Sequence, residues 1–250
     1  SGPGTGVSVD VGGTSVALGD DAVTGALPIG FNFNFFGVTY SNFVIVSNGF
    51  ISFDAAVGTG CCTGQVLPNN ANPYNLVAGF WEDLAPNNGG TIGYGVFGTA
   101  PARRLVVSYT GVPHFGGGPA VTFQIKLHES SNVVEVVCID CATDGGLHTQ
   151  GIENANGSIA FVPSGRNSVN FSSANETTTF TPVDVTAPTA TCPSNISIAC
   201  SAPVSYSVSG TDNCQFARVN LVGGLASGAT FPTGTTTVTF RARDHGTGGV

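Results

Sequence analysis

Cysteines are the residues of this sequence whose chemistry is most constrained by spacing. Seven are present, as an adjacent pair, a Cys-x-x-Cys motif and three separate residues: Cys61 and Cys62, Cys138 and Cys141, and Cys192, Cys200 and Cys214. Cysteines at such spacings form disulfides, bind zinc or exchange thiols. Redox motifs normally open a helix after a strand, and zinc would require a second pair of ligands. Disulfides in an oxidising compartment are therefore favoured.

The pairing of these cysteines is only partly constrained. Adjacent cysteines bond each other with difficulty, because a disulfide requires separated Cα atoms. We therefore expect Cys61 and Cys62 to pair with Cys138 and Cys141, closing loops of about 75–80 residues that each contribute ~4 kcal/mol in the chain-entropy model. The sequence leaves open which cysteine bonds which. The odd number leaves one thiol over.

The segment Trp81-Glu82-Asp83 is the acidic segment most suggestive of a ligand. Its carboxylates could bind Ca²⁺, and Trp81, Tyr74 and Phe115 could present aromatic faces to a glycan. The alternative, which we favour, is a strand end with a buried tryptophan and solvated carboxylates. Since adjacent side chains of a strand point to opposite faces, Glu82 and Asp83 do not fit the carboxylate pair of a glycosidase.

Other catalytic patterns are missing from the sequence. The histidines are scattered without metal-ligand spacing: His114, His128, His148 and His245. No Gly-x-Ser-x-Gly motif occurs, and the segment Gly12-Gly13-Thr14-Ser15 lacks the lysine and following helix of a phosphate loop. Asp20-Asp21 is interpreted as a turn. The sequence predicts a protein that is not an enzyme, with no cofactor and no metal beyond a weak Ca²⁺ site at Glu82 and Asp83.

Charge and composition exclude further classes. The chain has 250 residues, with 15 acidic and 7 basic side chains and a net charge of -8. This charge does not suit nucleic-acid binding. No apolar run approaches the roughly 18 residues of a membrane helix. The absence of Met and the start at Ser1 indicate a mature secreted chain whose targeting segment has been removed.

The elements that would position these residues are strands. Residues 121–128 alternate apolar and polar side chains over eight positions, and Glu129–Asn132 reads as a turn into a second strand at 133–137. Many short strands without an amphipathic helix predict an all-β chain. We expect a flexible segment over 1–13, a jelly-roll-type β-sandwich over 14–182 and, after a proline-bounded linker, an incomplete Ig-like β-sandwich over 183–250.

The C-terminal region resembles the hyalin-repeat (HYR) family. The segments that carry the resemblance are Cys192-Pro193-Ser194-Asn195, Thr211-Asp212-Asn213-Cys214 and Gly228-Ala229-Thr230-Phe231-Pro232-Thr233-Gly234. The resemblance implies an immunoglobulin-type sandwich of an extracellular adhesive protein. After Arg241-Ala242-Arg243-Asp244 the final cysteine-bearing strand of the family does not follow, so we expect the domain to lack its last strand.

The N-terminal region resembles nidogen-like sandwich regions of secreted surface proteins. The resemblance lies in Gly30-Phe31-Asn32-Phe33-Asn34-Phe35-Phe36-Gly37, Ser47-Asn48-Gly49-Phe50 and Ala78-Gly79-Phe80-Trp81-Glu82-Asp83. It implies an extracellular role in adhesion, as in bacterial surface proteins, and it supplies no catalytic residue.

The surface offers candidates for modification and assembly. Four sequons suggest glycosylation, at Asn156, Asn170, Asn175 and Asn195. The alternating residues Val7, Val9 and Val11 form a candidate donor strand for the incomplete domain of a neighbouring copy, in a head-to-tail filament. The competing interpretation assigns this segment to its own first sheet.

These observations predict a function outside the cell. We expect a structural subunit of a secreted filament or surface fibre, acting in adhesion or matrix formation. Its main partner is another copy of itself. The alternative is a glycan- or surface-binding module of a larger multidomain bacterial adhesin. Neither nucleic-acid binding nor membrane insertion is expected.

Overall fold

A computed structural model describes residues 7–183, 187–212 and 217–244 of the chain. The chain divides into two compact units, residues 1–181 and 182–250. Cys214, a predicted disulfide residue, and His245 lie outside the described residues. No helix in the described ranges has the length and apolar character needed to cross a bilayer.

The first unit consists of two antiparallel sheets. Its strands are β1 (Thr14–Val16), β2 (Leu27–Phe35), β3 (Val38–Val46), β4 (Phe50–Ser52), β5 (Leu76–Trp81), β6 (Thr91–Phe97), β7 (Arg104–Pro113), β8 (Ala120–His128), β9 (Val134–Cys141), β10 (His148–Glu153), β11 (Ala160–Phe161), β12 (Asn167–Val169) and β13 (Ser173–Phe180), with a 3₁₀ turn at Pro86–Asn88. Sheet 1 has the order β1-β6-β7-β8-β9-β13, and sheet 2 has the order β11-β10-β5-β4-β3-β2, with β12 also paired to β10. The predicted all-β sandwich is confirmed.

The main core lies between the two sheets. In β8 the alternating residues Val121, Phe123, Ile125 and Leu127 are fully buried, as the period of two predicts. The core also contains the buried Tyr109 ring, stacked on Phe123 with centroids 4.5 Å apart. Burial of this apolar surface is the main stabilising contribution to such a sandwich.

A second, smaller core lies on the outer face of sheet 2, beneath residues 54–75. Its buried residues are Val44, Val46, Phe50, Val57, Leu67, Leu76, Ala78 and Trp81. The Trp81 indole N–H donates to the carbonyl of Gly60 at 2.9 Å, which ties the covering segment to the sheet. Sheet 2 is therefore buried on both faces here, which explains why all six residues of β5 are buried.

The Asn48-Gly49 turn joins β3 to β4. Gly49 has a φ of +83°, a conformation that favours glycine, and a Cβ there would meet the Phe80 carbonyl oxygen. The Asn48 side chain accepts the Leu84 N–H and donates to Asp21 at 2.7 Å. The turn thereby fixes the chain that follows β5, where Glu82 and Asp83 lie.

A bulge in β9 places two cysteines on one face. Phe123 of β8 pairs with Cys138 and its neighbour Thr122 pairs with Asp140, so Ile139 is the extra residue. Residues three apart on a regular strand point to opposite faces. Because of the bulge, Cys138 and Cys141 both lie in the main core.

The second unit has a more open arrangement. Its strands are β14 (Thr189–Thr191), β15 (Ala202–Pro203), β16 (Ser209–Thr211), β17 (Ala217–Gly223), β18 (Thr230–Phe231) and β19 (Thr239–Asp244). Over residues 187–212 and 217–244 they pair as three two-stranded antiparallel sheets, β14 with β16, β15 with β18 and β17 with β19. Among its described side chains none is buried.

Candidate functional site

Four ionisable side chains meet at one end of the first unit. Glu82 directly follows β5 and His148 begins the neighbouring β10, both in sheet 2, whereas His114 directly follows β7 of sheet 1. Asp144 lies in the β9–β10 connection. The Phe115 N–H donates to the Asp83 carbonyl at 2.8 Å, and this backbone link brings His114 beside Glu82. We call Glu82, His114, Asp144 and His148 the histidine–carboxylate cluster.

The cluster is compact and mostly buried. The side chains of both histidines are fully buried and that of Glu82 is 5% exposed, whereas Asp144 is 25% exposed. His114 Nδ1 contacts Glu82 Oε1, and His148 Nδ1 lies 3.6 Å from Glu82 Oε2. Asp144 Oδ2 lies 3.8 Å from His114 Nδ1. Two nitrogen and several oxygen atoms therefore converge on one small volume.

Neighbouring groups fix the orientation of the two imidazoles. His114 Nε2 lies 2.9 Å from the Ala142 carbonyl, which only accepts hydrogen bonds, so Nε2 carries the hydrogen and the Nδ1 of the neutral ring presents a lone pair. His148 Nε2 lies 2.7 Å from Thr143 Oγ1, and its ring stacks on Phe80 with centroids 4.5 Å apart. In both rings Nδ1 is the nitrogen that faces Glu82.

Burial and mutual charge control the protonation of the cluster. Burial raises the pKa of Glu82, partly offset by the facing His114. Burial would lower the pKa of His114, but the Glu82 carboxylate outweighs it, so the pKa of His114 is raised. Burial and the charge of His114 lower the pKa of His148 to about 4. At neutral pH His148 is therefore a neutral ring with a lone pair available.

The adjacent acid, Asp83, points elsewhere. Its carboxylate lies with those of Asp20 and Asp21, and burial together with their charges raises the pKa of Asp83 to about 6. Glu82 and Asp83 thus face different surroundings, as their adjacency in an extended segment predicts. The structure places the carboxylates of Glu82 and Asp83 in two different groups, so it does not bring them together as the weak Ca²⁺ site that the sequence suggested.

The three aromatic candidates for glycan contact differ in exposure. Trp81 is fully buried in the smaller core, so it offers no stacking face, and Tyr74 is half-buried. Phe115 is 53% exposed, beside the histidine–carboxylate cluster in sequence. Of these three residues, only Phe115 presents an exposed aromatic ring that a glycan could contact.

The predicted disulfide pairing is wrong in this structure. Cys61 and Cys62 bond each other, whereas Cys138 and Cys141 are unpaired and buried. The two pairs lie in different places, because Cys61 and Cys62 are exposed in the segment that covers sheet 2. Cys138 and Cys141 point into the core between the sheets. Elsewhere in the described chain, Cys192 and Cys200 are exposed and unpaired.

The N-terminal segment is bound to its own unit. Residues 7–13 form no strand, and the Asp10 carboxylate contacts both Arg104 and Lys126. Gln124 adds two hydrogen bonds to the Asp10 backbone. The valines proposed as donor residues, Val7, Val9 and Val11, thus belong to a segment held against the outer face of sheet 1 without forming one of its strands.

The four sequon asparagines are all exposed: Asn156, Asn170, Asn175 and Asn195. Asn156 lies in a turn, where its Oδ1 accepts the Ser158 hydroxyl at 2.6 Å. Asn175 lies on the edge strand β13. Exposure is compatible with glycosylation at these positions, which stays a prediction.

Sequence reasoning missed most of the histidine–carboxylate cluster. His114 and His148 were dismissed because their spacing matches no metal motif, and Asp144 was not singled out. The ligand-like atoms become neighbours only through the pairing of β10 with β5 and the backbone link between residues 83 and 115. No short motif encodes such contacts.

Comparison with known protein families gives a match that covers the whole described part of the first unit. The chain matches the family described as NIDO-related over residues 4–192. Comparisons with curated proteins and with solved structures gave no match. The resemblance of the second unit to hyalin repeats stays a prediction, because residues 193–250 lie beyond the matched range.

Proposed function

Because this chain belongs to the NIDO-related family, we propose that it is a non-enzymatic structural module of a secreted filament or surface fibre. The family suggests an extracellular module. In this proposal, copies assemble head-to-tail by β-strand addition and serve adhesion or matrix formation.

The open second unit is the observation that carries the proposal. Among the described residues of this unit the strands pair only two by two, and no side chain is buried. Leu221 and Val222 of β17 are 40% and 52% exposed. Short sheets with free edges and exposed apolar residues are surfaces on which another strand can add.

The donor strand is not residues 7–11 in this proposal. Releasing that segment would leave Lys126, which is 2% exposed, buried without its Asp10 partner. Breaking a buried ion pair in this way costs about 3–5 kcal/mol. The N-terminal segment therefore stabilises the first unit, and the added strand comes from another part of a neighbouring copy.

The test is assembly of the purified chain, followed by light scattering and negative-stain electron microscopy. We expect fibres, and we expect Val222→Lys to raise the concentration of half-assembly at least ~10-fold, since a charge on an edge strand opposes strand addition. Val38→Lys is the matched control, because Val38 is 48% exposed on β3 of the first unit. A wild-type chain that stays monomeric at every concentration would exclude the filament. Equal effects of the two variants would exclude strand addition to the second unit.

A second candidate function is glycan or surface binding within a larger multidomain adhesin. It is favoured by one observation, the exposed ring of Phe115 next to a run of three glycines at 116–118. Binding on a glycan array that disappears in Phe115→Ala would support it. An array without hits would leave only the structural role.

A further inference from the structure

We propose that the histidine–carboxylate cluster is a binding site for one divalent transition metal ion of the zinc class. The ligand atoms are His114 Nδ1, His148 Nδ1 and a Glu82 carboxylate oxygen, with Asp144 at the more exposed side. The proposal is independent of filament assembly, because every ligand belongs to the first unit of a single chain.

Buried polar atoms without hydrogen bonds indicate that the cluster can hold a cation. Within the described residues, Glu82 Oε1, His114 Nδ1 and His148 Nδ1 are buried and form no hydrogen bond of normal geometry. Glu82 presents Oε1 to His114 Nδ1 and Oε2 to His148 Nδ1. A proton on His114 Nδ1 would pair it with Oε1, but His148 Nδ1 would still be a buried polar atom without a hydrogen bond. A cation between them would satisfy all three atoms at once.

The separations fit a small tetrahedral ion. Zinc bonds to nitrogen and oxygen of about 2.0–2.1 Å hold tetrahedral ligand atoms about 3.3 Å apart. Glu82 Oε2 lies 3.6 Å from His148 Nδ1, and Asp144 Oδ2 lies 3.8 Å from His114 Nδ1. Ligand atoms of Glu82, Asp144 and His148 all lie within 4.8 Å of one another, whereas His114 Nδ1, in direct contact with Glu82 Oε1, would have to move away from that oxygen to admit the ion.

The surroundings resemble the outer shell of a metal site. Metal-binding histidines usually donate their other ring N–H to a carbonyl or carboxylate, which fixes the tautomer. His114 does this with the Ala142 carbonyl, and His148 Nε2 has the Thr143 hydroxyl. Phe80 and Phe171 pack against the His148 ring and exclude water from that side.

The donor set also selects the class of metal. Imidazole nitrogen suits zinc, copper, nickel and iron, whereas calcium and magnesium prefer six or more oxygen ligands. Two histidines with one or two carboxylates therefore favour Zn²⁺ over Ca²⁺. The ion would connect sheet 1, through His114, with sheet 2, through Glu82 and His148, and would act as a structural cross-link.

The test is titration of the chelator-treated full chain with ZnCl₂ and, separately, CaCl₂ in a calorimeter. We expect one Zn²⁺ per chain, weaker Ca²⁺ binding and a Tm that rises with Zn²⁺ concentration. His114→Gln and Glu82→Gln should each weaken Zn²⁺ binding by more than ~100-fold, beyond the effect of losing an outer-shell partner. His128→Gln is the matched control, because His128 is partly exposed on β8.

A second readout guards against variants that fail to fold. Co²⁺ added to the wild-type chain should give the intense visible absorption of tetrahedral coordination, and Zn²⁺ should abolish it by displacement. Circular dichroism must show that each variant keeps its strand content. Absence of Zn²⁺ binding in the wild type, or equal loss in His128→Gln, would overturn the proposal.

Discussion

Glu153 is a buried carboxyl whose replacement tests the electrostatics of the smaller core. It ends β10, opposite Leu76 of β5, and its side chain is fully buried beneath the covering segment. One oxygen accepts the Asn69 N–H, and the other has no hydrogen-bond partner. Burial raises the pKa of Glu153 from 4.5 to about 7.

The raised pKa sets the sign of the pH dependence. Below pH ~4.5 the carboxyl is protonated in both the folded and the unfolded chain, so it carries no ionisation penalty. Between pH 4.5 and 7 the folded chain binds more protons, and its stability falls as the pH rises. Each tenfold change in proton affinity is about 1.4 kcal/mol, so the penalty above pH 8 is about 3 kcal/mol.

Glu153→Gln removes this penalty, because the amide keeps an acceptor for Asn69 and never ionises. We expect the variant to gain about 3 kcal/mol over wild type between pH 4.5 and pH 8. Urea unfolding followed by Trp81 fluorescence measures this, since the single tryptophan lies in the same small core. Any change that the new amide N–H groups make in the free energy of unfolding is the same at both pH values and cancels in the comparison.

Asp140→Asn is the matched control, because Asp140 is an exposed carboxylate on β9. We expect its stability difference from wild type to be small, because its side chain is exposed. If the Glu153→Gln difference also stays constant within ~0.5 kcal/mol from pH 4.5 to 8, the burial argument fails.

Three further predictions test packing in the first unit. Tyr109→Phe should destabilise the sandwich by about 1–2 kcal/mol in urea unfolding, because the buried hydroxyl donates to a backbone carbonyl at 2.6 Å; an unchanged midpoint would contradict that bond. Trp81 should show blue-shifted emission and resist acrylamide quenching, because it is fully buried; efficient quenching would contradict the smaller core. Alkylation of the native chain should modify Cys192 rapidly and spare Cys138 and Cys141, since burial excludes the reagent and raises the pKa of Cys141; equal rates would contradict the placement of β9.

Local periodicity is enough to predict one face of the sandwich but not the other. The alternation over residues 121–128 correctly identifies the inward side chains of β8. It also predicts a solvated outer face, yet Gln124 and Lys126 there are 3% and 2% exposed. Asp10 binds both of them from more than 110 residues away. A contact at that separation leaves no signal in a window of eight residues.

Contacts between distant residues also decide which side chains connect the two sheets, and a short sequence window does not reveal them. Sequence spacing favoured disulfides from the pair at residues 61 and 62 to Cys138 and Cys141, which would have tied the covering segment to β9. In the structure Cys61 and Cys62 bond each other, Cys138 and Cys141 are buried free thiols, and the residues that bridge the sheets are His114, Glu82 and His148. If Zn²⁺ binds there, the ends of β5, β7 and β10 gain the cross-link that the cysteines do not provide. Chelation should then lower the Tm of the first unit, whereas reduction of the Cys61–Cys62 bond, which closes no loop, should change the Tm little.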